Sequence, residues 1–280
     1  MLMPLKPLVD EAADRPHAIP AFNVYGYEDA IAVVRAAEAM QAPVILAANL
    51  PAIRHMPLPY LAPLLLQAAR EASVPVCVHL DHGPSLESVQ AAIDHGFTSV
   101  MFDGSQLPLE ENIAVTRQVV RLARKAGVSV EAEVGSVGYS DPSLNMKHEL
   151  SDPVEVERFV RETGVDAVAV SIGTVHRMEE QTATLRFDLL REIERRVRTP
   201  LVIHGSTGVP DGDLRRLASH RVAKINIGTA LRMAFGRSLR EQMLADPHAF
   251  DRIAWFRQAM EAVRQTAIDK FHHLGWGADK

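Results

Sequence analysis

The stretch AIPAFNVYGYEDA, Ala18 to Ala30, decides between two α/β architectures. It opens on a short apolar run, Ala18–Val24, of the kind found in parallel strands covered on both faces. A helical pattern follows, with Glu28 and Asp29 in its first turn, where acids suit the helix dipole. An open doubly wound sheet would usually place a G-x-G-x-x-G phosphate turn at this first junction. The junction here holds Asn23, Tyr25 and a lone Gly26. The run therefore reads as the first strand of a closed barrel.

Working outward, the unit recurs. Strand-like runs follow at Pro43–Ala48, Pro75–Leu80, Thr98–Asp103, Val128–Val134, Asp166–Ile172, Pro200–His204 and Arg221–Ile227. Each is short and apolar or β-branched. Helix-patterned segments separate them. SLESVQAAIDHG starts at Ser85, a plausible N-cap, and stops at Gly96. LEENIAVTRQVVRLARKAG ends in cations and Gly127, and DPVEVERFVRETG and RFDLLREIERRVR behave similarly. Eight strand–helix alternations predict a (β/α)8 TIM barrel, one domain over residues 1–280, with residues 231–280 as a helical C-terminal extension.

Composition agrees. The 280 residues are 47% hydrophobic and 23% charged, which supplies a substantial core. A net charge of −5 with both signs scattered, and 5% aromatic residues, argue against a nucleic-acid surface. Cys77, the one cysteine, lies in an apolar run and reads as a buried hydrophobe; disulfides are excluded and a reducing compartment is expected. The N-terminus has no signal-peptide pattern, and LPYLAPLLLQAAR is too short and proline-broken to span a membrane. The expectation is a cytoplasmic protein.

Barrel enzymes build their sites at the C-terminal strand ends. Those ends carry Asn23, Asn49, Asp81 with His82, Asp103, Glu131 with Glu133, His176, His204, and Asn226 with Thr229. The opposite ends carry mostly proline, threonine or valine. Three imidazoles, His82, His176 and His204, can converge on one point and leave a fourth position open, as in catalytic zinc sites. The alternative is that each satisfies an ordinary hydrogen bond. Glu131 and Glu133 share one side of their strand, and buried carboxylates need a metal, a cation or a shared proton. Lys224 is a candidate counter-ion, so a purely structural ion-pair network is the competing reading. His79 reads as support for Asp81 or a ligand, or as structural filling. Two small-residue turns, HGSTGV (His204–Val209) and NIGTAL (Asn226–Leu231), follow the last two strands, where barrels often bind phosphate.

The motifs HLDHG, GFTSVMFDGSQLPLEENI, VSVEAEVGSVG, IGTVH, LVIHGSTGVP and KINIGTAL together resemble the class II, zinc-dependent ketose-bisphosphate aldolases. The resemblance runs from about Ala18 into the C-terminal helices. It implies zinc on His82, His176 and His204, with Asp81 as the proton-transferring carboxylate. It implies a second divalent or a monovalent cation near Glu133 and Asp103. It places Asn226 on substrate and Gly205, Ser206, Thr207, Gly228 and Thr229 on the phosphate, with Asn23 and Asn49 also facing the ligand. The implied product is dihydroxyacetone phosphate plus an aldehyde. The C-terminal helices imply a homo-oligomer, dimer or tetramer, with Arg252 or Arg257 reaching a neighbour's site.

Four positions depart from the family. Arg177 stands where glycine is usual, and Glu180 where a lysine near the phosphate is usual. Arg177 could itself clamp a phosphate or carboxylate. The mobile loop reads GYSDPS, so Asp141 stands in for a catalytic loop glutamate. Asn49 occupies a position where serine is common. Rival readings are a Schiff-base aldolase using Lys224, a paralogue acting on another sugar or keto acid, a metal-dependent hydrolase, and a metal-bearing sugar-phosphate binder that cleaves nothing.

Overall fold

The computed structural model describes residues 1–141, 143 and 147–277. Its strands are β1 (Ile19–Asn23), β2 (Val44–Ala48), β3 (Val76–Gly83), β4 (Ser99–Phe102), β5 (Ser129–Val134), β6 (Gly138–Tyr139), β7 (Ala167–Val170), β8 (Val175–His176), β9 (Leu201–Ile203) and β10 (Val222–Ile227). Eight of them close into a parallel barrel in the order β1-β10-β9-β7-β5-β4-β3-β2. Each of the eight expected runs supplies one barrel strand. The other two, β6 and β8, pair in parallel as a small separate sheet, Gly138 opposite Val175 and Tyr139 opposite His176.

The helices are α1 (Leu5–Ala12), α2 (Tyr27–Met40), α3 (Leu50–His55), α4 (Leu58–Glu71), α5 (Leu86–Asp94), α6 (Leu109–Ala126), α7 (Pro153–Thr163), α8 (Phe187–Arg196), α9 (Asp211–Ala218), α10 (Thr229–Ala245) and α11 (Arg252–His273). Their ends follow local chemistry. Ser85 caps α5 by accepting from Ser88 N, and Asp152 caps α7 by accepting from Val154 N and Glu155 N. Gly127 ends α6 in the left-handed conformation (φ 69°). In the 231–280 stretch, α11 packs against α2, α9 and α10 and so completes the outer ring of helices. Residues 278–280 lie outside the described residues. No described helix is long and apolar enough to cross a membrane.

Two apolar layers hold the barrel. The larger lies between strands and outer helices, with Phe22, Leu46, Leu80, Phe102 and Val134 pointing outward. The smaller fills the bottom of the barrel, where Ile45, Cys77, Met101 and Val202 meet Leu5, Leu8 and Val9 of α1. This helix, not anticipated from sequence, plugs the end opposite the candidate site. Burying its Leu and Val side chains stabilises the fold by about 2 kcal/mol each. Ala47, Ala167 and Ala169 on the inner wall leave room for large polar side chains above the plug.

Candidate active site

The barrel interior turns polar halfway up. His79, Glu131 and Lys224 are fully buried there. Lys224 Nζ lies 2.9 Å from Glu131 Oε2 and donates to Asn226 Oδ1 at 2.6 Å. This is the counter-ion pairing expected of Lys224. His79 Nδ1 lies 2.8 Å from Ser99 Oγ. Burial first, and then the Lys224 charge, push the His79 pKa down to about 3 and keep the ring neutral.

Strand alternation would send Asp81 and His82 to opposite faces. Both nevertheless line the same cleft. The register shows why: Leu80 pairs with Val100 and Gly83 with Phe102, so β3 carries one extra residue. That bulge, with His82 held at φ 51°, re-aims two consecutive side chains to one side. Asp81 is then gripped by two amides. Asn23 Nδ2 donates to Oδ2 at 2.7 Å and Asn226 Nδ2 to Oδ1 at 2.9 Å. Burial opposes its ionisation, but His82, His204 and Lys224 outweigh it and hold the carboxyl well below the usual range.

The three histidines meet, with ligand atoms of His82, His176 and His204 within 4.8 Å of one another. The outer nitrogens of His82 and His204 are already committed. His82 Nδ1 lies 2.6 Å from Asp103 Oδ2, and His204 Nε2 lies 2.9 Å from Glu131 Oε1. An ionised carboxylate only accepts, so those two nitrogens carry the protons. The inner nitrogens, His82 Nε2 and His204 Nδ1, are left facing each other 2.8 Å apart. Two lone pairs at that distance require a cation or a shared proton between them. Burial works against charge on His82, yet Asp81 and Asp103 raise its pKa to about 10, a field that draws positive charge to this point. His176 is driven far down, by burial first and then by the two neighbouring rings, and stays neutral as a ligand must.

A second group brings His82, Asp103 and Glu133 within the same 4.8 Å. Glu133 Oε1 accepts from Val137 N at 3.0 Å, while buried Oε2 has no hydrogen-bond partner. Burial, then repulsion from Asp103, raises its pKa to about 8. An orphaned buried carboxylate oxygen beside a second acid suits a second cation.

Above this floor opens a cleft of about 520 Å³. Asn49 lines it while its side chain also caps α3, accepting from Ala52 N at 3.1 Å. Gly205, Ser206 and Thr207 form one wall with Gly228 and Thr229. Thr207 Oγ1 accepts from Ala230 N at 3.2 Å, tying the two turns together. Gly228 allows a close approach, since a Cβ there would fall 2.5 Å from Asn23 Oδ1. Arg177 lines the cleft with its guanidinium 5.4 Å from the Tyr139 ring centre. His204 and Glu133 lie beneath the lining. Asp141 is exposed and outside it; its carboxylate accepts from Ser143 N and Oγ. Those bonds first, then Arg177, hold its pKa low. Sequence reasoning missed Tyr25, Arg54, Gln106, Leu107, Tyr139 and Arg232 on the cleft walls. These sit in loops, on helices or, for Tyr139, on the two-residue strand β6, all beyond the barrel strands, where residue type alone carries no signal.

The family described as class II fructose-bisphosphate aldolase matches residues 3–278. The chain is 37% identical over 278 residues to a fructose-bisphosphate aldolase of Geobacillus stearothermophilus, covering 98% of this chain and 97% of that one. It is 38% identical over 274 residues to a 6-phospho-5-dehydro-2-deoxy-D-gluconate aldolase of Bacillus licheniformis, covering 97% and 94%. Its structure matches the YdjI aldolase of Escherichia coli K12 with a TM-score of 0.89, 31% identity and 99% of each chain covered.

Proposed function

The chain belongs to the class II fructose-bisphosphate aldolase family, and from that premise we propose a zinc-dependent enzyme cleaving a phosphorylated ketose reversibly into dihydroxyacetone phosphate and an aldehyde. It is an aldolase, hence a lyase, of a metal-dependent family. The observation that carries the metal reading is the pair of imidazole nitrogens, His82 Nε2 and His204 Nδ1, facing each other at 2.8 Å with their outer nitrogens on carboxylates. His82, His176 and His204 would hold the ion, and the nitrogen donor set suits zinc. A divalent ion bound there supplies Lewis-acid polarisation of the ketose carbonyl.

The chain's own groups do the rest. Asp81, fixed by Asn23 and Asn226, takes the proton from the hydroxyl beside the bond to be broken. The electron pair of that bond moves toward the carbonyl, and Asp141, ionised in the open loop, takes up a proton and passes it to the carbon left behind. Asp141 reaches it when its loop closes over the cleft. The backbone amides and hydroxyls of Gly205, Ser206, Thr207, Gly228 and Thr229 receive the phosphate. Asn49 and Asn226 orient the sugar hydroxyls, and Glu133 with Asp103 would hold a second cation beside His82. Lys224 is a poor Schiff-base nucleophile, because it is buried in its ion pair and does not line the cleft.

We place the enzyme in the cytoplasm, in keeping with its single buried thiol. We also assign it a homo-oligomer, dimer or tetramer, built on α10 and α11, where Leu244, Phe250 and Ile253 are 75%, 92% and 64% exposed. The test is a screen of ketose bisphosphates and phosphorylated keto-sugar acids, read as dihydroxyacetone phosphate released. Cleavage of one class is the expected result. A metal-loaded protein that cleaves none would be the sugar-phosphate binder instead.

A further inference from the structure

We propose that Arg177 is the specificity-determining cation of this cleft, its guanidinium receiving the phosphate monoester of the ketose against the turn Gly205–Thr207; the assignment rests on the aldolase reading above. The first observation is backbone strain. Arg177 sits at φ 61°, a left-handed conformation that favours glycine and costs a side-chain-bearing residue stability. A residue kept there against its propensity is held by its surroundings for what its side chain does.

The surroundings are visible. Ser140 Oγ donates to the Arg177 carbonyl at 3.0 Å, and Ser140 N donates to the His176 carbonyl at 2.9 Å. The chain just past β6 is thereby latched onto β8 on both sides of the bend. The glycine-rich turn also packs directly on this segment. A Cβ at Gly205 would fall 2.8 Å from the Val175 carbonyl, and one at Gly208 would meet the Met178 side chain. Arg177 stands between those two contacts.

Charge placement agrees. The cleft is lined by three arginines: Arg54 is on α3, Arg232 is on α10 with its guanidinium 5.3 Å from the Tyr25 ring centre, and Arg177 follows β8. Arg177 is the lining cation on the segment that packs against the glycine turn. Its guanidinium makes no hydrogen bond or ion pair among the described residues and packs against the Tyr139 ring. Asp141, close enough for Arg177 to lower its pKa, is exposed and outside the lining, as are Glu179 and Glu180. A guanidinium fork lining the same cleft as the glycine turn matches the shape and charge of a phosphate dianion.

The test uses Arg177→Gly and Arg177→Gln in the metal-loaded enzyme. Glycine accepts the strained backbone, so R177G is expected to melt no lower than the parent and to keep its metal. Calorimetric affinity for dihydroxyacetone phosphate is expected to fall about 10- to 100-fold in both variants, the loss of a charge-assisted contact. KM for the cleaved ketose should rise with it. Should R177G fold poorly, R177Q alone decides. Affinity within twofold of the parent in a folded, metal-loaded variant would overturn the assignment. If the parent binds dihydroxyacetone phosphate, the variants lose it, and no ketose is cleaved by any of them, Arg177 keeps its role and the aldolase reading fails.

Discussion

Asp81 shows how little of a residue's role lies in the residue. A carboxylate buried at 2% exposure is ordinarily a liability. Here two asparagine amides and neighbouring imidazoles keep it ionised and immobile, so it accepts a proton without searching for its geometry. Asp81→Asn preserves the shape and removes the basicity. The expected outcome is a kcat lowered by about 10²- to 10⁴-fold with metal content unchanged, measured by steady-state cleavage and metal analysis. Wild-type turnover in that variant would remove Asp81 from the reaction. His82, His176 and His204 were legible as a group because each follows a barrel-strand run in the sequence, although His176 lies on β8, beyond the barrel itself. That Asp81 and His82 share a face was not legible: it depends on one extra residue in β3, which local sequence does not announce. Arg54 and Arg232 were missed because they lie on helices beyond the strand ends.

At the scale of elements, strands were easier to read than their connections. The runs of β2 and β7 are apolar on both faces, which only a covered parallel strand requires. The strands β6 and β8 span two residues each, too short for any periodicity, and α1 shows its purpose only when the barrel floor exists. Helix α2 matched its expected start, yet its first turn holds a cost. Asp29 accepts from Tyr25 N, but burial lifts its pKa from 3.8 to about 6. A folded-state pKa above the unfolded one means the folded chain keeps this proton longer. Its contribution to stability is therefore present below about pH 4, is lost as pH rises to about 6, and stays lost above. Asp29→Asn should stabilise the fold by about 2 kcal/mol more at pH 8 than at pH 4, read from urea unfolding at both pH values. An equal effect at the two pH values would show that burial does not perturb Asp29.

At the scale of the whole molecule, the barrel separates its tasks by depth. An apolar plug closes one end, a layer of Glu131, Lys224 and His79 braces the middle, and above it His82 and His176 face the cleft over the buried His204. The outer ring is completed by α11, while α10 buries only Leu231 and leaves Met243 and Leu244 exposed. If this face joins subunits, the parent should sediment as a dimer or larger, and a Leu244→Glu, Phe250→Glu double variant as the 30.8 kDa monomer. A monomeric parent at micromolar concentration would refute that interface. The central claim, metal-dependent aldol cleavage at His82, His176 and His204, is tested most directly by stripping the protein with a chelator and titrating Zn2+ back while following release of dihydroxyacetone phosphate. The account predicts no cleavage by the stripped protein and full recovery at about one ion per chain. Undiminished cleavage without metal, with borohydride trapping substrate on Lys224, would contradict it.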